Sequence, residues 1–284
     1  MIRAHRAGVK PGVLVSHIAA VRYRKNEHSQ RIPIRTLGII PARLASTRLP
    51  RKVLRQIAGR PMLAWVYEAA RACPQLDDLV IAADSTEVAD LCQLNGWPVV
   101  LTSPDLPSGS DRVHAVAQTH PAEIYVNIQG DEPLLQPAHL TALLAPFTNA
   151  EVQVSTLKVL SKPENLHNPN AVKVVTDRHD RALYFSRASI PYDRDSAGTP
   201  VWKHLGLYAY RADALRRFHA LAPSPLELTE RLEQLRFLEN GIPIHVAVTP
   251  YDTVGVDMEE DLQHVETLLL DRHAKQLIIL ATPE

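Results

Sequence analysis

The sequence predicts an α/β fold, a mainly parallel sheet covered on both faces and carrying an inserted antiparallel lobe. Three observations predict it. Between residues 36 and 129, short apolar runs alternate with segments of helical period across short links, the pattern of a doubly covered sheet. From about 151 to 211, strand-like runs follow one another between Pro/Asn/Asp/Gly turns. The third observation is a change of charge that sets the first segment apart from the rest. Residues 1–36 hold eight Lys/Arg and one acid, Glu27, for +7; the other 248 hold 23 basic and 30 acidic residues, for −7. The zero net charge of the 284-residue chain is therefore a cancellation. The domain is expected over 36–284, behind a basic, disordered leader at 1–35.

Thr36–Ala42 is an apolar run closed by Pro41 and reads as a buried strand. Pro61–Cys73 puts Met62, Trp65, Val66 and Ala69 on one face and opens on proline, so it reads as a helix. Leu79–Ala83 is a strand. Residues 84–87 (DSTE) match a capping box from Asp84 to Glu87, opening a helix that Gly96 stops. Val99–Thr102 is a strand, Ser110–Gln118 a helix and Ile124–Gln129 a strand. In the lobe, Val152–Val159, Ala171–Thr176, Ala182–Arg187 and His204–Tyr210 read as strands that cover the site or meet a second subunit. Helices at Asp213–Leu221 and Pro225–Glu239, a strand at Pro243–Val248 and a helix from Asp257 through Leu270 complete the domain.

Several classes are excluded. A body of −7 is no general nucleic-acid binder, because phosphate backbones need a basic surface. No run approaches the roughly 18 apolar residues of a membrane helix. Cys73 and Cys92 cannot make a disulfide framework and read as buried thiols in a reducing compartment, and no zinc-type thiolate spacing occurs. The leader is Arg-rich and acid-poor like a transit peptide, but has only Ser16 and Ser29 as serines. It reads as a tail or an upstream translation start ahead of a cytoplasmic enzyme, with organelle targeting the minor alternative.

The densest chemistry lies at 41–52 (PARLASTRLPRK), just past the first strand, where open sheets bind ligands. Arg43, Arg48, Arg51 and Lys52 surround Ser46 and Thr47. Cations around a hydroxyl-bearing turn suit a polyphosphate: each contributes about 4 kcal/mol at 4 Å and an effective dielectric of ~20, before desolvation.

Extended to 39–52 (IIPARLASTRLPRK), this segment resembles the 3-deoxy-manno-octulosonate cytidylyltransferase (CMP-Kdo synthetase) family, as do seven further motifs in order. They are SGSDR (108–112), VNIQGDEP (126–133), NPNAVKVV (168–175), YFSRASIPYDRD (184–195), KHLGLYAYR (203–211), SPLELTERLEQLR (224–236) and TVGVDMEEDL (253–262). The resemblance covers 37–262 and implies a nucleotide-diphospho-sugar-transferase fold, Rossmann-like with a mixed sheet. It also implies a homodimer, magnesium, and transfer from CTP to a Kdo-type sugar acid with release of pyrophosphate. A related sugar acid (8-amino-Kdo or a sialic acid), or a non-catalytic nucleotide-binding module, is the alternative.

Individual roles follow from combining the resemblance with the residues. Arg43, Lys52, Asp131 and Asp257 are the expected catalytic set, with Asp131 and Asp257 as the magnesium carboxylates; Mg²⁺ takes one or two carboxylates and fills its shell with water and phosphate oxygens. Spacing alone reads Asp257 as a helix N-cap with Glu260 three residues on. Glu132 reads as a turn carboxylate and Glu227 as the structural half of a capping box with Ser224. Ala42, Arg43, Ser46, Arg48, Lys52, Ser108 and Gly109 are expected at the nucleotide. Arg112 and Arg187 are the forked cations available for the sugar carboxylate. Gln129, His204, Tyr208, Glu233 and Gln234 are expected around the sugar, with Tyr208 and Tyr210 on opposite sides of their strand. Two departures stand out: Ala83 where many members carry Thr before Asp84, and Arg51 where the family usually has Gly.

Overall fold

The computed structural model describes residues 35–46 and 48–281, and side chains as far as Arg272. Residues 1–34 of the leader, and Thr47 of the basic loop, lie outside the described residues.

A mixed sheet of nine strands organises the domain. β1 (Thr36–Ala42) leads through a 3₁₀ turn at Lys52–Leu54 to a small hairpin, β2 (Gln56–Ile57) and β3 (Arg60–Pro61), and then to α1 (Met62–Arg71). There follow β4 (Asp78–Ala83), α2 (Thr86–Leu94), β5 (Val99–Leu101), α3 (Gly109–Ala117), β6 (Ile124–Asn127) and α4 (Pro137–Leu144). The second half runs β7 (Val154–Leu160), β8 (Lys173–Thr176), β9 (Ala182–Ser186), β10 (Trp202–Arg211), α5 (Ala212–Ala220), α6 (Pro225–Glu230), α7 (Leu235–Glu239), β11 (Ile244–Val248) and α8 (Glu259–Ala281).

The order across the sheet is β11-β7-β10-β6-β1-β4-β5, with β8 on β10 and β9 on β8. β1, β4, β5 and β6 are parallel, as the alternating first half requires, while β10 runs antiparallel to β6, β7 and β8. The antiparallel strands are thus continuous with the main sheet: β7 and β10 lie inside it, and only β8 and β9 branch from it. Two apolar clusters cover its faces, one around Ile40, Ile81, Val126 and Leu143, the other around Ile39, Tyr125, Phe185 and Phe237. A third, with Leu49, Met62, Leu134 and Val265, seats α8 beside the basic loop. No helix among the described residues is long and apolar enough to cross a membrane.

Four local expectations change. The cap of α2 is Ser85, whose hydroxyl accepts the Val88 N–H, and not Asp84; Asp84 faces the basic loop. The helix expected over 225–239 is two, because Arg231 adopts the left-handed conformation at φ 56°. Asp257 does not cap α8: the Asp261 carboxylate accepts the N–H groups of Asp257 and Met258, at 2.9 and 2.8 Å. Tyr208 and Tyr210 share one face with their rings stacked at 5.9 Å, as residues two apart on a strand must.

Candidate active site

The site lies past the carboxyl ends of β1, β4 and β6, where three parallel strands stop together. β1 ends at Ala42, which is buried, and the chain leaves as the basic loop. Asp84, just beyond β4, accepts the Leu44 N–H at 2.9 Å and pins the loop's exit. At its far end Arg51 takes φ 57° and pairs with Glu87 of α2. Gly130 lets the end of β6 approach β1: a Cβ there would stand 2.7 Å from the Pro41 carbonyl oxygen.

These approaches converge on one cation. Lys52 Nζ donates to Asp131 Oδ2 at 2.6 Å and to Asp257 Oδ1 at 3.0 Å, and Arg48 Nη2 lies 3.0 Å from the same Asp257 oxygen. The Val256 N–H donates to the Asp131 carbonyl at 2.9 Å, which brings the two carboxylates together across 126 positions of sequence. Burial opposes the Lys52 charge, but attraction and hydrogen bonding to Asp131, then Asp257, raise its pKa above the ordinary lysine value. Two hard-oxygen groups already meeting around a cation fit Mg²⁺, which needs no third protein carboxylate. Among the described residues no cluster of three or more His, Cys, Asp or Glu forms a metal cage.

Beside this centre opens a cleft of about 900 Å³, at the upper end of the roughly 300–1,000 Å³ usual for ligand sites. Arg43, Arg48, Ser108, Gly109 and Asp257 line one part of it, and Gln129, His204, Tyr208, Glu233 and Gln234 also contribute to its wall. Three lining side chains keep a buried polar atom without a partner: Asn127 Oδ1, Glu132 Oε2 and Gln234 Nε2. Buried polar groups are ordinarily paired, so three orphans in one cleft mark a surface built for a polar ligand.

The local structure explains their placement. β10 bulges between Leu205 and Tyr208, a device common beside active sites. The Thr156 hydroxyl fills the bulge, 2.8 Å from the Leu207 carbonyl and 2.9 Å from His204 Nε2. Gln129 Nε2 donates to the Gly206 carbonyl at 3.1 Å, and Ser110 Oγ donates to Glu233 Oε2 at 2.8 Å. Burial, then Lys203, lowers the His204 pKa to about 3, so its ring is neutral. Burial, then repulsion from Asp131, pushes the Glu132 carboxyl up to about 7.

Not every expected residue reaches the cleft. Ala42 is enclosed in β1, and Ser46 lines a separate shallow hollow with Leu44, Pro50 and Arg51. Arg112 is fully buried behind the wall, where Nη1 donates to Thr102 Oγ1 at 2.5 Å and to the Ser103 carbonyl at 3.1 Å. Arg187 spends its guanidinium on the carbonyls of Glu230, Pro169 and Arg231, at 2.7, 2.9 and 3.3 Å. Neither arginine lines the cleft: main-chain acceptors hold the whole fork of Arg187, whereas Arg112 keeps Nε and Nη2 buried without a hydrogen-bond partner, Nη2 lying 3.8 Å from Asp84. Conversely, Asn127 and Glu132 were missed. Asn127 is two residues from Gln129 in the same segment, a usable signal; Glu132 offered none, because the residues that meet its carboxyl, Thr253 and Lys203, are distant in sequence.

The cytidylyltransferase family model matches residues 37–245. A protein of Acidobacterium capsulatum named 3-deoxy-manno-octulosonate cytidylyltransferase is 63% identical over 240 residues, 84% of this chain and 98% of that protein. The chain belongs to the 3-deoxy-manno-octulosonate cytidylyltransferase family. A family member from Koribacter versatilis is 56% identical over 84% of this chain and 92% of its own length. The solved structure of CMP:2-keto-3-deoxy-manno-octonic acid synthetase complexed with CTP matches at a TM-score of 0.81 and 36% identity, over 84% of this chain and 99% of that one. A Leptospira borgpetersenii cytidylyltransferase, 14% identical at a TM-score of 0.53 over 82% of this chain and 85% of that one, shares the fold alone. The fold and enzyme class implied by the motifs are those found.

Proposed function

We propose that this enzyme transfers CMP from CTP to 3-deoxy-D-manno-octulosonate, giving CMP-Kdo and pyrophosphate for lipopolysaccharide synthesis, as a cytoplasmic homodimer that uses magnesium. The observation that carries the reading is the junction of Lys52 with Asp131 and Asp257, the last of which lines a cleft roomy enough for two substrates. Asp131 and Asp257 would hold the metal, whose contribution when bound is to polarise a phosphoryl oxygen and neutralise charge. Arg43 and Lys52 would offset charge developing on the departing pyrophosphate, Lys52 turning from Asp131 and Asp257, its present partners, to do so. Backbone N–H groups at the start of α3, around Ser108 and Gly109, suit a phosphate or the base edge. The sugar acid fits the remaining wall, where Gln129, His204, Tyr208, Glu233 and Gln234 offer both donors and acceptors. The anomeric hydroxyl attacks the α-phosphate in line; no protein nucleophile is needed. For the homodimer, the exposed Leu183 and Tyr192 on and after β9 supply apolar surface.

Pyrophosphate release, measured over a panel of nucleotides and sugar acids, tests this reading. CTP with Kdo should turn over fastest. Preference for 8-amino-Kdo or a sialic acid would reassign the acceptor, and tight CTP binding with no pyrophosphate from any acid would make the chain a nucleotide-binding module. Asp131→Asn should lower turnover roughly 10²–10³-fold, the scale of losing one preorganised electrostatic partner; full magnesium-dependent activity in that variant would remove Asp131 from the mechanism.

A further inference from the structure

Lys173 is fully buried, yet it does not line the cleft. Its ammonium donates to three main-chain carbonyls, those of Asn168, Ala171 and Arg187, at 2.9, 2.8 and 2.9 Å. Burial lowers its pKa, and Glu230 offsets this only in part, through space. The contrast with the other buried lysine of the antiparallel strands is direct: Lys158 has the Asp180 carboxylate at 2.9 Å. A desolvated cation on main-chain oxygens alone is an expensive way to fill a core, where an apolar side chain of like volume serves better. What it achieves is positional, because three short charge-assisted bonds fix three carbonyls from two segments about one point.

The next residue in this chain of contacts repeats the device. Arg187 ties Pro169 of the same turn to the carbonyls of Glu230 and Arg231, at the break between α6 and α7. The Glu230 carboxylate closes the loop, accepting from Ser186 Oγ at 2.6 Å and from the Arg187 N–H at 2.9 Å. The segments so joined are cleft walls: Asn168, Asn170 and Ala171 line it on one, Arg231, Glu233 and Gln234 on the other. None of these bonds touches the basic loop, Asp131 or Asp257.

We infer that Lys173, Arg187 and Glu230 form a brace that sets the spacing of the two acceptor-side walls, making Lys173 a positioning residue for the sugar acid and not for the nucleotide. The inference rests on the functional reading above, because it takes the walls at 168–171 and 231–234 to be the sugar-acid half of the cleft. It also explains why a forked cation predicted for the sugar carboxylate is found with its donors spent on the main chain.

Lys173→Met, which keeps the stem and removes the donors, is compared with wild type, together with the milder Arg187→Lys. The expected result is a ten- to hundredfold rise in KM for the sugar acid, with KM for CTP and calorimetric CTP affinity within twofold of wild type. Backbone amides at 166–172 and 230–236 should exchange hydrogen faster, while those of β1 and β4 are unchanged. If Lys173→Met does not fold, Arg187→Lys carries the same comparison. Unchanged exchange at 166–172 and 230–236 would overturn the brace, as would an unaltered sugar-acid KM or a parallel rise in both KM values. A wild-type enzyme that releases no pyrophosphate would sink the functional reading instead, and the exchange data would still decide whether the brace exists.

Discussion

His204 sits in the wall of a cleft meant for anions, where a charged imidazolium would at first sight be useful. Its surroundings forbid the charge: the ring lies edge-on to Phe185 at 4.9 Å, takes the Thr156 hydroxyl at 2.9 Å and is 8% exposed. Because burial holds its pKa near 3 in the folded protein against an ordinary 6.5, the unfolded chain binds the extra proton between those values. Stability is therefore whole above about pH 6.5 and falls as the pH drops toward 3, by at most about 1.4 kcal/mol per unit. His114, His139 and His245 are lowered too, so His204→Gln should make the acid slope shallower without removing it. Urea midpoints at pH 7, 6, 5 and 4 measure this, and a slope equal to wild type would show that His204 protonates without resistance. Arg51 shows the other residue-scale constraint. Its φ of 57° is free for glycine, whereas an L side chain costs about 1–2 kcal/mol there. The loop thus keeps a conformation suited to the family's usual glycine while carrying an arginine that Glu87 holds.

Elements were legible where local chemistry decides and obscure where distant contacts do. β1 ends where the closing proline run suggests, and α1 opens just after Pro61. α4 went unread although Pro137 stands at its first turn, because its cap is Gln136 with His139, an unusual pair. The single helix read over 225–239 rested on Leu228, Leu232 and Leu235 as one stripe. In the structure Leu228 is 53% exposed while Leu232 and Leu235 are buried, because Glu230 is drawn toward β9 and Arg231 turns left-handed. What survives from the sequence is the start of α6. Glu227 accepts the Ser224 N–H at 3.0 Å and also Arg236 Nε at 2.7 Å, in a pair whose side chains are only 13% and 9% exposed. One carboxylate thus completes a cap and neutralises a buried arginine. Removing a partner from such a pair costs about 3–5 kcal/mol when fully buried, and a lost cap about 1. Glu227→Ala should therefore destabilise by about 3 kcal/mol, against under 0.5 for an ordinary exposed glutamate. A loss below 1 kcal/mol in denaturant unfolding would mean that α6 is held from elsewhere. The same paired geometry was invisible in sequence, since the spacing shows the cap but not that Arg236 folds back.

At the scale of the molecule, the parallel strands end on one side and gather the cations there, so an acidic body can still receive anions. The residues after 36 carry −7 in total, yet Arg43 and Arg48 line the cleft, and Lys52 meets Asp131 and the lining Asp257 beside it. Local potential, not net charge, governs capture at such a site, because charges beyond about 8–10 Å are screened at physiological salt. The same reasoning bears on the leader, whose +7 would matter to catalysis only if it stood within that distance of the cleft. The family match begins at residue 37, and the Acidobacterium relative aligns over 98% of its own length with 84% of this chain. Every cleft and brace residue lies after residue 36. Deleting residues 1–35 should therefore leave kcat and both KM values within twofold at 0.15 M salt. Measuring the pair at 0.02 M salt sharpens the comparison, since screening weakens and a contribution of the leader's charge to CTP capture would emerge there as a higher KM in the deleted form. A deletion that loses turnover at both salt concentrations while remaining folded would place catalytic function in the leader and contradict the division of labour drawn from the charge.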